Sequence, residues 1–467
     1  MKLGISIAAA LLCVAAIPSQ TVTHYWVDAV AGNDSSPGTR AQPFKSLTWA
    51  VGFQFQDSHV HVMPGVYSPA TTGDFADPSS GQPAQIRLAS YQNLKITGVD
   101  KATCILDFGG GNGPWGFISI VSGCVDIEIS DLTMRNSGVD PWGNGAISVD
   151  HGAQSVDIHN CYFEQTYSTL ILWGGYDVAF HDNVITDATP NTGNWPSVGV
   201  RVRTDVTKGD RSYIYNNTFY AIGHGISWSN DANNPQQWIM NNVCRDVTAK
   251  AYPNGAYAGS HIVFENNLAY NSGTWNYDPV IGPNGSAPML SATNLEVDPM
   301  LTNPAAGDYS LAAGSPCIEG GSAMVHPYQM NDYAGNNRAV DSDEDGVAVP
   351  DMGAIETTDL TLGVSNFAQG QTMTIDIQVA NPGNWIGGAL FFAFAENPTY
   401  NPMWGMFGPD LNALITNPST PIPLQLQMLV PVNAALNDLW IYTEVIGLKI
   451  IGSTVVLKGT GMTKSLL

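Results

Sequence analysis

RSYIYNNTFY, residues 211–220, carries an alternating apolar run into two consecutive asparagines, Asn216 and Asn217. The same ending recurs nearby. Set side by side, VDIEISDLTM (125–134), VDIHNCYF (156–163), VAFHDNVI (178–185), SYIYNNTF (212–219), QWIMNNVC (237–244) and IVFENNLA (262–269) share apolar, spacer, apolar, spacer, then Asp or Asn. The polar column reads Asp131, Asn160, Asp182, Asn216, Asn241 and Asn266, with steps of 22 to 34 residues. A period of that length in short strands indicates a solenoid.

Beside it runs a second polar column, Asn183, Asn217, Asn242 and Asn267, and an apolar column, Ile129, Ile158, Phe180, Ile214, Ile239 and Phe264. A right-handed parallel β-helix accounts for all three, because successive coils lie about 4.8 Å apart and equivalent side chains stack. Asn tolerates the left-handed turn conformation, and its amide both donates and accepts along a stack. The paired asparagines are therefore read as a turn ladder. A further strand is expected in each coil, at GAISVDH (145–151), STLILWGG (168–175), SVGVRVRTD (197–205), GHGISWSND (223–231) and GAYAGS (255–260).

Composition supports an all-β chain. Of 467 residues only 12% are charged, while 48 are Gly and 29 Pro, which points to many turns and little surface helix. With 40 acidic against 17 basic residues the net charge is −23, which argues against nucleic acid and anionic membranes as partners. MKLGISIAAALLCVAAIPSQ (1–20) has an early Lys2, a short apolar stretch and small residues, so residues 1–19 are expected to be a secretory signal peptide, leaving no transmembrane segment in the mature chain. The remaining cysteines, Cys104, Cys124, Cys161, Cys244 and Cys317, show no CxxC spacing and are expected in the core.

YWVDAVAGNDSSPGTRAQPFKSLTWAV (25–51) with VHVMPGVYS (60–68) resembles the N-terminal segment of secreted bacterial pectate-lyase-like β-helix proteins. In it, Asp34 suits an Asx turn, Pro37-Gly38 a type II turn, and Leu47, Ala50 and Val51 a short capping helix. VDPMLTNPAAGDYSLAAGSPCIEGG (297–321) and NNRAVDSDEDGVAVPDMGAIE (336–356) resemble the closing segment of that family. The resemblance implies a capped β-helix over residues 20–356. From Thr357 the repeat stops, and short alternating strands separated by Gly/Pro turns predict a small β-sandwich over 357–467, an accessory or cell-surface attachment unit.

The family resemblance implies an extracellular polysaccharide as partner and leaves the chemistry open. If Val200 and Val202 point inward, Arg201 and Arg203 point outward, with Ser148 and Asp150 on one side and Ser227 and Ser229 on the other. Trp173, Asp205, His224 and Asp231 are expected to edge the same face. A polyuronate lyase needs cations to neutralise a carboxylate and a base for the adjacent proton, and Arg201, Arg203, Lys208 and His224 are the candidates. The bland alternative is a surface network of Arg with Asp150 or Asp205.

GHGISW resembles a polygalacturonase element, but that family's paired aspartates are missing and a glycine-bordered strand start explains the motif. A noncatalytic structural or adhesive rod is the alternative of another class. Finally, DSDEDGVAVPD (341–351) repeats the first half of an EF-hand-type loop, with Asp341, Asp343, Asp345 and the carbonyl of Val347 as Ca²⁺ ligands and Asp351 as the replacement for the usual Glu.

Overall fold

The computed structural model describes residues 22–52, 56–76, 84–110, 116–138, 145–186, 197–203, 211–229, 236–253, 262–273, 275–277, 292–322, 331–336, 338 and 349–358, and beyond these only the backbone of strands between 360 and 466. The chain is a right-handed parallel β-helix followed by a small antiparallel β unit.

Each coil contributes one strand to each of three parallel sheets. The first sheet has nine strands, from Thr23–Val27 and Ser58–Val62 to Ile262–Glu265. The second has eight, from Ile86–Leu88 to Trp275–Tyr277, and the third has eight, from Gly65–Tyr67 to Leu268–Tyr270. The third sheet begins immediately after the paired asparagines, a strand the alternation alone does not separate from the first. In the coil after Asn241 the second-sheet strand is Lys250–Tyr252, not GAYAGS, which lies outside the described residues.

Register makes the columns. Ile129, Ile158, Phe180, Ile214, Ile239 and Phe264 pair in succession along the first sheet, and all are buried in one core. The described cysteines are free and buried. The first polar column makes the bend and one stacked amide bond, Asn241 Nδ2 to Asn216 Oδ1 at 3.1 Å. Asp131, Asn160, Asp182, Asn216, Asn241 and Asn266 take φ between 52° and 56°, the left-handed bend between the first and third sheets. The next column is the ladder: Asn183 Nδ2 donates to Asn217 Oδ1 at 3.1 Å, Asn217 to Asn242 at 3.0 Å, Asn242 to Asn267 at 3.0 Å and Asn267 to Asn294 at 3.2 Å.

At the entrance, the helix Leu47–Gly52 buries Leu47, Ala50 and Val51 over the first coil. Its first amides, Leu47 N and Thr48 N, donate to the carboxylate of Asp74. The Asx turn lies at Asn33, which accepts from Ser35 N, while Asp34 accepts from Lys45 N and Ser46 N. Gly38 takes φ 78°, but the hydrogen-bonded turns run from Asn33 to Ser36 and from Thr39 to Gln42, on either side of Pro37-Gly38 rather than at it.

At the far end, the described residues between 295 and 356 fold back over the third sheet, where Leu301, Tyr309 and Ala354 pack on Val184, and Cys317 and Met352 on Val243 and Leu268. The bend column holds this segment. Asn216 Nδ2 donates to Asp351 O, Asn241 Nδ2 to Ser322 O, Asn266 Nδ2 to Gly320 O, and Asp182 receives the Arg338 guanidinium.

Beyond residue 358, Leu360–Ser365, Thr372–Val379 and Leu424–Leu429 form one antiparallel sheet, and a second centres on Trp385–Ala393 and Trp440–Ile451. Glu396–Asn401, Gly405–Pro409, Ile415–Thr420 and Thr463–Leu466 are further strands of this unit.

Candidate functional site

Val200 and Val202 are fully buried, so Arg201 faces outward from the second sheet. The register aligns it in one column, Arg87, Ser119, Ser148, Ile171, Arg201 and Ser227. At the lower end of this face is a groove of about 400 Å³ lined by Gln85, Arg87, Ser119, Val121, Ser148, Asp150 and Trp173. The structure thus brings together Ser148, Asp150 and Trp173 from the expected set. Arg87 is exposed at the centre of its strand and belongs to the same groove, although it precedes the coils in which the repeat is legible.

Arg201 and Ser227 lie further along, beyond the buried Ile171. They therefore share the face without lining the groove. Arg203 and Ser229 are opposite one another in backbone register, with their side chains outside the described residues. Lys208, Asp205 and Asp231 are also outside them.

His224 corrects the sequence reading. It pairs with Val198, in the inward-facing parity of Val200 and Ile226, and its Nδ1 receives Lys250 N at 3.2 Å. It is not beside Arg201. The neighbouring glycine has a packing role, since a Cβ on Gly225 would lie 2.3 Å from Ala251 O and 2.6 Å from Cys244 Sγ. That contact gives Gly225, the second glycine of GHG, a packing reason.

The outer face of the first sheet carries a second constellation that the sequence reading missed. One column runs His24, His59, Lys95, Glu128, Asp157, Ala179, and its neighbour Trp26, His61, Thr97, Ser130, His159, His181, Tyr215. Lys95 Nζ meets Glu128 at 2.6 Å, and His159 Nε2 is 3.7 Å from the same carboxylate. His181 bridges Asp157 at 2.9 Å and Asp182 at 2.7 Å, with its ring stacked between His159 and Tyr215. Burial disfavours charge on His181, but the two carboxylates outweigh it and raise its pKa to about 9. Burial likewise pushes Asp157 up, and the charge on His181 more than reverses this, leaving it below the usual carboxylate range. A shallow depression of about 250 Å³ opens beside Lys95, Glu128 and Asp157.

Asp182 links this strip to the closing segment through Arg338, which also donates to Glu356 at 2.9 Å and to Gly353 O at 2.8 Å. The acidic loop adjoins that segment. Asp341, Asp343, Asp345 and Val347 lie outside the described residues. Asp351 is fully buried, and its oxygens accept from Glu319 N at 2.7 Å and Thr357 N at 2.6 Å. Its carboxylate closes a turn, which replaces the ligand role expected for it.

Residues 30–77 match a family described as a protein of unknown function, DUF1565. No curated protein matches the chain. Among solved structures, the GH136 lacto-N-biosidase from Eubacterium ramulus is similar at 12% identity and a TM-score of 0.42, over 56% of this chain and 54% of that one. This chain thus spans about half of that enzyme's length. A rhamnogalacturonan lyase is similar at 14% identity and a TM-score of 0.35, over 54% and 74% of the two chains. Pectin methylesterase PemA from Erwinia chrysanthemi is similar at 10% identity and 0.23, over 62% and 99%. None of these activities carries over to this chain on such likenesses. Among the described residues, no helix is long and apolar enough to cross a membrane.

Proposed function

We propose that this is a secreted carbohydrate-binding β-helix protein that seats an extracellular polyuronate along the outer face of the second sheet. One observation carries the reading: Trp173 and Arg87 open onto the same groove as Asp150, Ser119 and Ser148. An indole offers a flat apolar surface to a sugar ring, a guanidinium matches a carboxylate, and hydroxyls and a carboxylate suit sugar hydroxyls. The finer proposal is a polysaccharide lyase. In that reaction an arginine neutralises the uronate carboxylate, a base removes the adjacent proton, and the electron pair left behind forms a double bond as the glycosidic oxygen departs. Arg201, four rungs or about 19 Å along the same column from Arg87, is the candidate for a carboxylate further along the same glycan chain, with Arg203 and Lys208 further candidates.

The test is a screen of polyuronates and neutral glycans, with and without calcium, for binding, unsaturated ends and reducing ends. The expected result is polyuronate binding that weakens tenfold or more, about 1.4 kcal/mol, in Trp173→Ala and in Arg87→Ala. Unsaturated ends would establish the lyase, and binding without new ends the noncatalytic rod. Undiminished binding in both variants removes the groove from consideration.

A further inference from the structure

The first sheet opens on a histidine cluster that the groove does not use. Ser58–Val62 reads SHVHV, so His59 and His61 project from the same face of one strand. On the adjoining edge strand His24 pairs with His59 and Trp26 with His61. His24 Nδ1 lies 2.8 Å from His61 Nε2, and the rings of His59 and His61 are 3.9 Å apart. One ring nitrogen from each of the three histidines fits within 4.8 Å of the others. His61 is fully buried under the Trp26 ring, whose centroid is 4.9 Å away. Nε2 of His59 is buried with no hydrogen-bond partner, a cost of about 1–3 kcal/mol that a folded protein ordinarily avoids.

We propose that His24, His59 and His61 form a site for a divalent transition metal of the zinc class, with a fourth position left for water or an exogenous ligand. Nitrogens bound at about 2.0–2.1 Å to a tetrahedral ion stand about 3.4 Å apart, within the spread of the three nitrogens here. An all-imidazole donor set selects zinc, copper or nickel over calcium and magnesium, which take oxygen ligands.

On binding, the His24–His61 hydrogen bond is exchanged for two coordinate bonds, and the stranded His59 nitrogen gains a partner. Lys95, opposite His59 in the register, is turned to Glu128 at 2.6 Å. The ion would tie the edge strand Thr23–Val27 to the second coil by side chains as well as by backbone.

The experiment uses untagged protein stripped with chelator and titrated with Zn²⁺ by calorimetry, and with Co²⁺ followed by its visible absorption. The expected result is one equivalent of Zn²⁺, a tetrahedral Co²⁺ spectrum and a Zn²⁺-dependent rise in melting temperature. In His59→Ala the affinity should fall tenfold or more while the metal-free melting temperature holds, because the lost nitrogen has no partner to leave behind. His24→Gln, at the partly exposed edge, provides the second variant should His59→Ala not fold. No stoichiometric binding by the wild type, or equal affinity in a folded variant, overturns the site.

Discussion

Arg338 Nε donates to Asp182 Oδ1 at 2.9 Å, joining side chains 156 residues apart in a place that water does not reach. The same guanidinium holds Glu356, so its removal leaves Glu356 buried without a cation and Asp182 with His181 alone. Arg338→Met should cost about 3–5 kcal/mol in urea unfolding. Limited proteolysis should then release residues 295–356 before the coils. A variant as stable as the wild type would show that the ion pairs are dispensable.

Backbone and side-chain roles in the bend column are separable at Asn160, which has φ 54° and whose Oδ1 has no partner. Asn160→Gly should leave stability within a few tenths of a kcal/mol of the wild type, whereas Asn160→Val should lose about 1–2 kcal/mol to left-handed strain. Equal losses in both variants would mean that the amide itself is needed.

His181 gives stability a pH dependence of definite sign. Its folded pKa of about 9 lies above the ordinary value near 6.5. Its contribution is therefore complete below about pH 6.5 and is lost as pH rises towards 9, by on the order of 3 kcal/mol. Urea midpoints across that window should fall in the wild type and stay flatter in His181→Gln. Parallel curves would count against a charged His181.

Calcium binding at Asp341, Asp343, Asp345 and Val347 remains a proposal in which Asp351 has no part. Calorimetry should detect a dissociation constant on the order of 10⁻⁴–10⁻³ M, typical of extracellular modules, and the heat should vanish in an Asp343→Ala, Asp345→Ala double variant. Identical heats in both proteins rule the loop out.

The coils were legible because stacking forces like residues onto like, and Asn216, Asn241 and Asn266 advertise that register in the sequence itself. What each asparagine does was less legible. The bend amides reach for carbonyls at Gly320, Ser322 and Asp351, in a segment with no period of its own. Arg338 was hidden for the same reason. His224 was misassigned because it was placed by its nearness to Ser227 and Ser229, although the alternation that turns those serines outward sets His224 inward with Ile226. Arg87 and the histidines of the first coils lie below the clear repeats, where their column partners are Ser119 and Lys95, and unlike neighbours conceal an alignment.

Solenoids commonly lengthen or shorten by gaining or losing a coil. Here the returning segment is fastened at successive rungs, with Arg338 on Asp182, Asp351 O on Asn216, Ser322 O on Asn241 and Gly320 O on Asn266. It therefore measures the rod as a ruler would: an inserted or deleted coil among those rungs would shift every later anchor by about 4.8 Å. The fastening reaches further back, where Lys101 Nζ donates to Tyr333 O and Tyr162 packs on Tyr309, so change in rod length should be tolerated first in the coils before Lys101.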